Sequence, residues 1–403
     1  MSQLAETVAG SRTSYIRVVG AVSAAHFVSH YYIILLAPLL PLVRAEYNVT
    51  YTEIGLAFAA FNIVTAALQT PAGFLVDRLG ARVLLVAGLA IGASAFVIAG
   101  IVDSFWVLVT MFALAGIGNT VYHPADYALL SQHVPSDRIG QAFSIHTFAG
   151  MMGSAVAPVT LLMMQSLWGW RGAFIGAGAL GFAVAAILLA IRDQGTAPVT
   201  PAPARAASDK TATSWQLLLS APILLNLIFF VLLAMISSGL YNYSVVALGA
   251  LYGTPATTAN TALSANLLWS AIGVLIGGVL VSRTTRHGGV AALGLAAIAL
   301  FTAVIAEIDF SAWALIVVMS LSGFFSGVIM PSRDMIVREV TPPGSFGKVF
   351  GFVTTGFNIG GIISPLIFGA IMDHNSPRMV FLTVAAISLV AILTVATRPR
   401  HAT

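Results

Sequence analysis

The chain has 403 residues, of which 58% are hydrophobic and only 8% charged, against about 25% charged in a soluble protein; a water-solvated globular domain is excluded. No cysteine is present, which excludes disulfides and thiolate metal sites. The formal charge of +4 could suggest a nucleic-acid partner, but its distribution along the chain has a better explanation.

Twelve apolar segments of bilayer-spanning length run over 17–43, 52–75, 82–102, 105–130, 138–164, 170–192, 215–249, 256–282, 289–306, 311–338, 346–372 and 377–397. Lipid offers no partner to backbone amides, so these must be helices. The first is too long and uninterrupted for a cleaved signal peptide and should remain as a span. With both termini in the cytoplasm, fifteen Lys and Arg fall inside and only Arg44, Arg171 and Arg378 outside, the asymmetry that fixes orientation. Trp106, Trp168, Trp170 and Trp313 fall at outer ends of spans and Trp215 at an inner one, as interfacial anchors do.

Between the sixth and seventh spans lies DQGTAPVTPAPARAASDKTATS, 193–214, whose Pro, Ala, Thr and charge, without apolar period, read as a solvated linker. It divides the chain into an N-terminal six-helix bundle, 1–192, and a C-terminal one, 215–403. The halves look duplicated. Pro124–Phe174 and Pro331–Phe381 align without a gap at an offset of 207, with nine identities in 51 columns, several of them Pro or Gly. Duplicated halves around a central site are the plan of a secondary transporter. The remaining loops are short and no phosphate-cradling Gly-Lys-Ser/Thr motif occurs, so neither an enzyme nor an ATP-driven pump is expected. Gly88/Gly92, Gly273/Gly277 and Gly356/Gly360 are four apart, the spacing that lets helix backbones approach closely.

Between spans 2 and 3 the chain reads Gly73-Phe-Leu-Val-Asp77-Arg78-Leu-Gly80-Ala-Arg82. This resembles the signature loop of the major facilitator superfamily, G-x-L-x-D-R-x-G-R-[RK], and stands at that family's place. A degraded copy follows span 8, where Gly278, Leu280, Val281 and Arg283 match and Ser282 replaces the acid. The resemblance covers essentially the whole chain. It implies an all-α membrane protein of twelve transmembrane helices in two pseudo-symmetric bundles, with the loop acting as a cytoplasmic gate; the alternative is a loop that only anchors orientation. Asp77 can face a helix N-terminus, and Arg78 or Arg82 can fork onto a carboxylate. Asp126, on span 4 toward the cytoplasmic end, is assigned as the partner of Arg82 or Arg78, with proton carriage as the alternative. Arg333 occupies the equivalent place on span 10; with Asp334 and Arg283 it is expected to form a matching clamp, or else to face the cavity and bind an anion.

Four histidines lie within the first bundle: His26 and His30 on span 1, four apart and so on one face, His123 on span 4 and His146 on span 5. No carboxylate is expected at the mid-span depth of His30, so histidine is the expected proton carrier; hydrogen-bonded structural imidazoles are the alternative. Tyr31, Asn119 and Tyr122 extend this polar set. The His26/His30 spacing would suit zinc, but without cysteine or a nearby carboxylate no metal site and no cofactor are expected. Ala25-His26-Phe-Val-Ser-His30 and Asn119-Thr-Val-Tyr122-His123-Pro124 are similar to the fosmidomycin-resistance-like exporters. That branch shows Ser-His followed by Asn-Asp on helix 1 and an aromatic-His-Pro on helix 4. His30 departs from the branch by standing where an Asp is usual, and Phe112 stands near the place of the helix-4 arginine of many drug antiporters. In the second half, Asn242 and Asn358 are the chief hydrogen-bonding candidates, Asn358 beside the glycines at 356–361 where a helix can bend.

The expected protein is thus a monomeric inner-membrane transporter that exports a small amphipathic or anionic compound against protons, with lipid and no nucleic acid as its surroundings. Proton-coupled uptake of an organic acid is the second reading, and a non-transporting receptor or scaffold a third.

Overall fold

The computed structural model describes residues 2–135, 138–190, 214–342 and 345–396; of the expected linker only Ser214 falls among them, at the start of a short helix. Eleven helices among the described residues are long and apolar enough to cross a bilayer. One of them, Ile139–Ala190, holds 52 residues and would reach about 78 Å if straight, far beyond the hydrocarbon core of about 30 Å. It turns at Gly169, with φ 70 and ψ 170, a backbone region essentially reserved for glycine. Two spans therefore meet there, and the described residues hold twelve.

They are numbered here α1 (Tyr15–Tyr47), α2 (Tyr51–Leu79), α3 (Ala81–Ile101), α4 (Phe105–His133), α5 and α6 (the segments of Ile139–Ala190 before and after Gly169), α7 (Ala221–Tyr252), α8 (Ala256–Val281), α9 (His287–Glu307), α10 (Ala312–Glu339), α11 (Lys348–Asp373) and α12 (Pro377–Val395). Their ends follow local chemistry. At the start of α2, the Thr50 side chain accepts from the Glu53 amide at 3.1 Å while the Glu53 carboxylate accepts from the Thr50 amide at 2.6 Å, a reciprocal cap that satisfies two orphan donors. At its other end Gly80 takes φ 93, which turns the chain directly into α3. α1 passes through a 3₁₀ turn at Ala37–Leu39, centred on Pro38, and α7 through a π turn at Gly239–Tyr243. The two turns touch each other.

Small residues set the packing. A side chain at Gly88 would meet Val121 and the Gly118 backbone of α4; one at Gly273 would meet Phe324 of α10; one at Gly356 would meet Leu227 and Phe230 of α7. The pairs Gly273/Gly277 and Gly356/Gly360 therefore each seat two helices of the same half against each other, whereas Gly88 seats α3 on α4 and Gly92 faces Tyr32 of α1. Besides the touching turns of α1 and α7, two longer seams join the halves: α2 against α11, and α8 against the 139–190 segment. The α2–α11 seam is backbone-close, since Gly55 faces the Pro365 carbonyl and Gly369 faces Tyr51 and Thr52. Beyond Thr65 the side chains of α2 are mostly exposed, through Leu68, Phe74, Leu75 and Leu79. The seam is thus closed at the Asp373 end of the molecule and bare at the Asp77 end.

Repeat-related arginines do equivalent work near the closed end. Arg171 bonds Glu46 at 2.8 Å and Asp103 at 2.5 Å, and its counterpart Arg378 bonds Glu307 at 3.2 Å.

Candidate functional site

Three helices of the first half bring four histidines and one carboxylate together. α1 presents His26 and His30 one turn apart. α4 is interrupted between its helical pieces, Phe105–Asn119 and Tyr122–His133, because Pro124 lacks the amide that would bond the Thr120 carbonyl. The second piece carries His123 and Asp126 in its first turns. α5 supplies His146 opposite a gap in its own surface: a side chain at Gly150 would collide with the His26 imidazole and lie 3.1 Å from that of His30. The histidines can lie against α5 only because that position has no Cβ.

The resulting cluster is dry. Asp126 is 0%, His146 1% and His26 4% exposed. The imidazoles of His26 and His146 stack at 3.9 Å, and His26 also lies 4.6 Å from His30 and 5.3 Å from His123, centroid to centroid. Asp126 Oδ2 stands 3.4 Å from His26 Nδ1 and 3.7 Å from His146 Nε2, yet neither carboxylate oxygen makes a hydrogen bond among the described residues. His30 Nδ1 is 3.3 Å from Ser154 Oγ. His123 is exposed and stacks on Tyr127 at 6.1 Å.

The expected Asp126–Arg82 gate pair is therefore corrected. Asp126 belongs to the histidines, and Arg82 instead donates from Nε and a terminal nitrogen to the Leu188 carbonyl at 3.0 and 2.8 Å and to the Leu189 carbonyl at 2.9 Å, capping the end of α6. The reason is relative depth. His26 lies about 7.5 Å from the middle of α1 and Asp126 about 10.5 Å from the middle of the oppositely directed α4, at 1.5 Å per residue, so the two share a level. For the same reason the expectation that no carboxylate accompanies the histidines fails. Asp77, Arg78 and Gly80 are exposed at the end of α2 and Gly73 is half-buried. Among the described residues the side chains of Asp77, Arg78 and Arg283 make no hydrogen bond or ion pair, although the Arg283 amide donates to the Leu280 carbonyl.

The expected Arg333 clamp with Arg283 is also replaced. Arg333 donates from Nε to Asp334 Oδ1 at 2.8 Å, and a terminal nitrogen lies 2.8 Å from the same oxygen as an ion pair. Its guanidinium lies over two adjacent rings, 4.9 Å from the centroid of Phe230 and 5.1 Å from that of Phe357, the two centroids being 4.8 Å apart, an arrangement favourable for a cation. Its side chain is 15% and that of Asp334 44% exposed, and Asp334 interacts electrostatically with Tyr127 of the first half. Arg333 and Asp334 therefore face the His123–Tyr127 wall across the bare end of the seam.

The other expected residues separate. Tyr31 is buried with its hydroxyl bonded to Thr160 at 2.9 Å. Tyr122 is buried, and its hydroxyl has no described partner. Asn242 donates to Ser238 at 3.2 Å within the π turn, while Asn119 and Asn358 are half-buried, Asn358 next to Phe357. The sequence reading passed over Phe230 and Phe357 as parts of a site; their signal was aromatic residues on the helices that flank an intramembrane arginine.

Lipid outside and charge inside is the arrangement of a chain that carries something polar through itself, a multi-pass transporter. A profile described as Major Facilitator Superfamily matches residues 22–253 and 227–403, and the chain belongs to that superfamily. It is 27% identical to the probable sulfoacetate transporter SauU of Cupriavidus necator over 89% of this chain and 87% of that one. It is 26% identical to the fosmidomycin resistance protein of Escherichia coli over 98% and 97%. The fold is similar to that of the nucleoside transporter NupG, with a TM-score of 0.78 at 15% identity over 94% of this chain and 99% of that one. The protein is a transporter rather than an enzyme, and its bacterial relatives imply the inner membrane.

Proposed function

We propose that the protein is a secondary transporter working by alternating access, and that it couples the passage of a small organic anion to protons. The observation that carries this reading is Arg333, a cation held against the adjacent rings of Phe230 and Phe357 and neutralised, among the described residues, by Asp334 alone. A carboxylate or sulfonate entering from the gap would take the guanidinium fork, freeing Asp334 to accept a proton. Anion and proton then bind together, which is the logic of a symporter. Import of an organic acid is therefore the reading that the geometry supports best, and similarity to a probable sulfoacetate transporter agrees with it.

Export, the sequence-based expectation, is kept as the second reading on the near-full-length similarity to a fosmidomycin resistance protein. In either direction the arginine asymmetry puts both termini and the linker in the cytoplasm. The closed Asp373 end is then periplasmic and the bare Asp77 end cytoplasmic.

The deciding experiment is internal pH in proteoliposomes challenged with sulfonates, sugar acids and phosphonates under an imposed proton gradient. Protons and substrate entering together support symport. Opposed fluxes support export, and no proton movement with any transported compound rejects coupling.

A further inference from the structure

The His26–Asp126–His146 cluster has no part in that exchange, and its geometry does not suit a simple ion pair. Three of its atoms, His26 Nδ1, His146 Nε2 and Asp126 Oδ2, lie within 4.8 Å of one another, and none makes a hydrogen bond among the described residues. A charge-assisted hydrogen bond between an imidazolium and a carboxylate closes to about 2.7–2.9 Å. The observed 3.4 and 3.7 Å are longer. Two ligands each about 2.0–2.1 Å from a tetrahedral ion stand roughly 3.4 Å apart. The 3.4 Å separation is that of neighbours in a tetrahedral shell, and the 3.7 Å one is a few tenths of an ångström longer.

Burial points the same way. A carboxylate with no exposure and no hydrogen bond is costly at any depth in a bundle, and a divalent ion would satisfy it together with both imidazole nitrogens. Two imidazoles and one carboxylate suit a borderline ion such as zinc, cobalt or nickel; calcium and magnesium take oxygen ligands. His123, whose ring lies 5.3 Å from that of His26, is the exposed member of the histidine set.

We propose that His26, His146 and Asp126 bind one divalent transition-metal ion of the zinc class, tying α1, α4 and α5 together within the first half. The inference does not depend on how the transported compound is bound.

The test uses the full chain, purified in detergent, stripped with a chelator and titrated with Zn²⁺ or Co²⁺. One tightly bound ion per chain is expected, with a cobalt absorption spectrum of tetrahedral type and a rise in Tm on adding zinc. Asp126→Asn and His146→Gln should each weaken binding at least tenfold and abolish the Tm rise. His287→Gln, which removes a separate histidine–carboxylate pair 3.7 Å apart at the end of α9, should change neither. Should the cluster variants fail to fold, X-ray absorption of the zinc-loaded wild-type chain still decides, because two imidazole nitrogens must appear among the ligands. Absence of stoichiometric binding to the wild type, binding indifferent to all cluster substitutions, or an imidazole-free spectrum would overturn the proposal.

Discussion

The carboxylate of Asp373, the last residue of α11, caps the first turn of α2: it accepts from the Tyr51 amide at 2.7 Å, the Thr52 amide at 2.9 Å and the Thr52 hydroxyl at 2.6 Å. These residues belong to opposite halves, more than 300 positions apart in sequence. The contact satisfies orphan amides and places negative charge at a helix N-terminus, so it holds this end of the seam shut.

Asp373→Ala should loosen that end. The site is exposed, so the loss is about 1 kcal/mol in the balance between closed and open forms, roughly a fivefold change. Spin labels on cysteines introduced beyond Thr50 and Asp373 report it directly, because the chain has no native cysteine to confuse the labelling. An unchanged distance distribution would remove the latch from the account.

Gly150→Ala should be destabilising, by about 1–3 kcal/mol as for other overpacked cores, because the new methyl displaces His26 and His30. Gly140→Ala is the matched control, since nothing lies within 4 Å of a side chain there. Thermal unfolding in detergent separates the two, and equal midpoints would show that α5 yields without disturbing the histidines.

Gly169→Ala forces an L side chain into φ 70, ψ 170, at about 1–3 kcal/mol. The expected outcome is a lower unfolding temperature with the helix content of the folded state unchanged.

Arg82→Ala and Asp126→Ala should have additive effects on stability, within about 0.5 kcal/mol, because the two side chains share no described partner. A larger coupling energy in the double-mutant cycle would restore the gate pair that the geometry replaces.

Arg333→Lys keeps the charge and loses the planar fork. Transport of an anionic substrate should show KM raised tenfold or more. Phe357→Leu, which removes one of the two rings packed against the guanidinium, should raise it by a smaller factor. Arg333→Gln with unaltered anion flux would end the role proposed for this residue.

The span count and the duplication were legible in the sequence, because a bilayer demands a fixed apolar length and a repeat leaves its Pro and Gly in register. The histidine cluster was legible in part, since His26 and His30 share a face by spacing alone. Asp126 was misassigned because depth counted from the middle of one helix says nothing about the level of its neighbours; His123 and Asp126, three apart on one face, were the signal available. Arg333 was read as a clamp because the motif copy after span 8 suggested Arg283 as partner. The rings of Phe230 and Phe357, contributed by two other helices, were invisible to any pattern along one helix.

The clasp at Asp373 also has a bearing on speed. An alternating machine moves fastest when neither of its end states is a resting place, so a carboxylate holding three donors at one extreme must be matched by something of similar strength at the other. A tighter clasp would slow the protein as surely as a missing one, and turnover should peak at an intermediate grip.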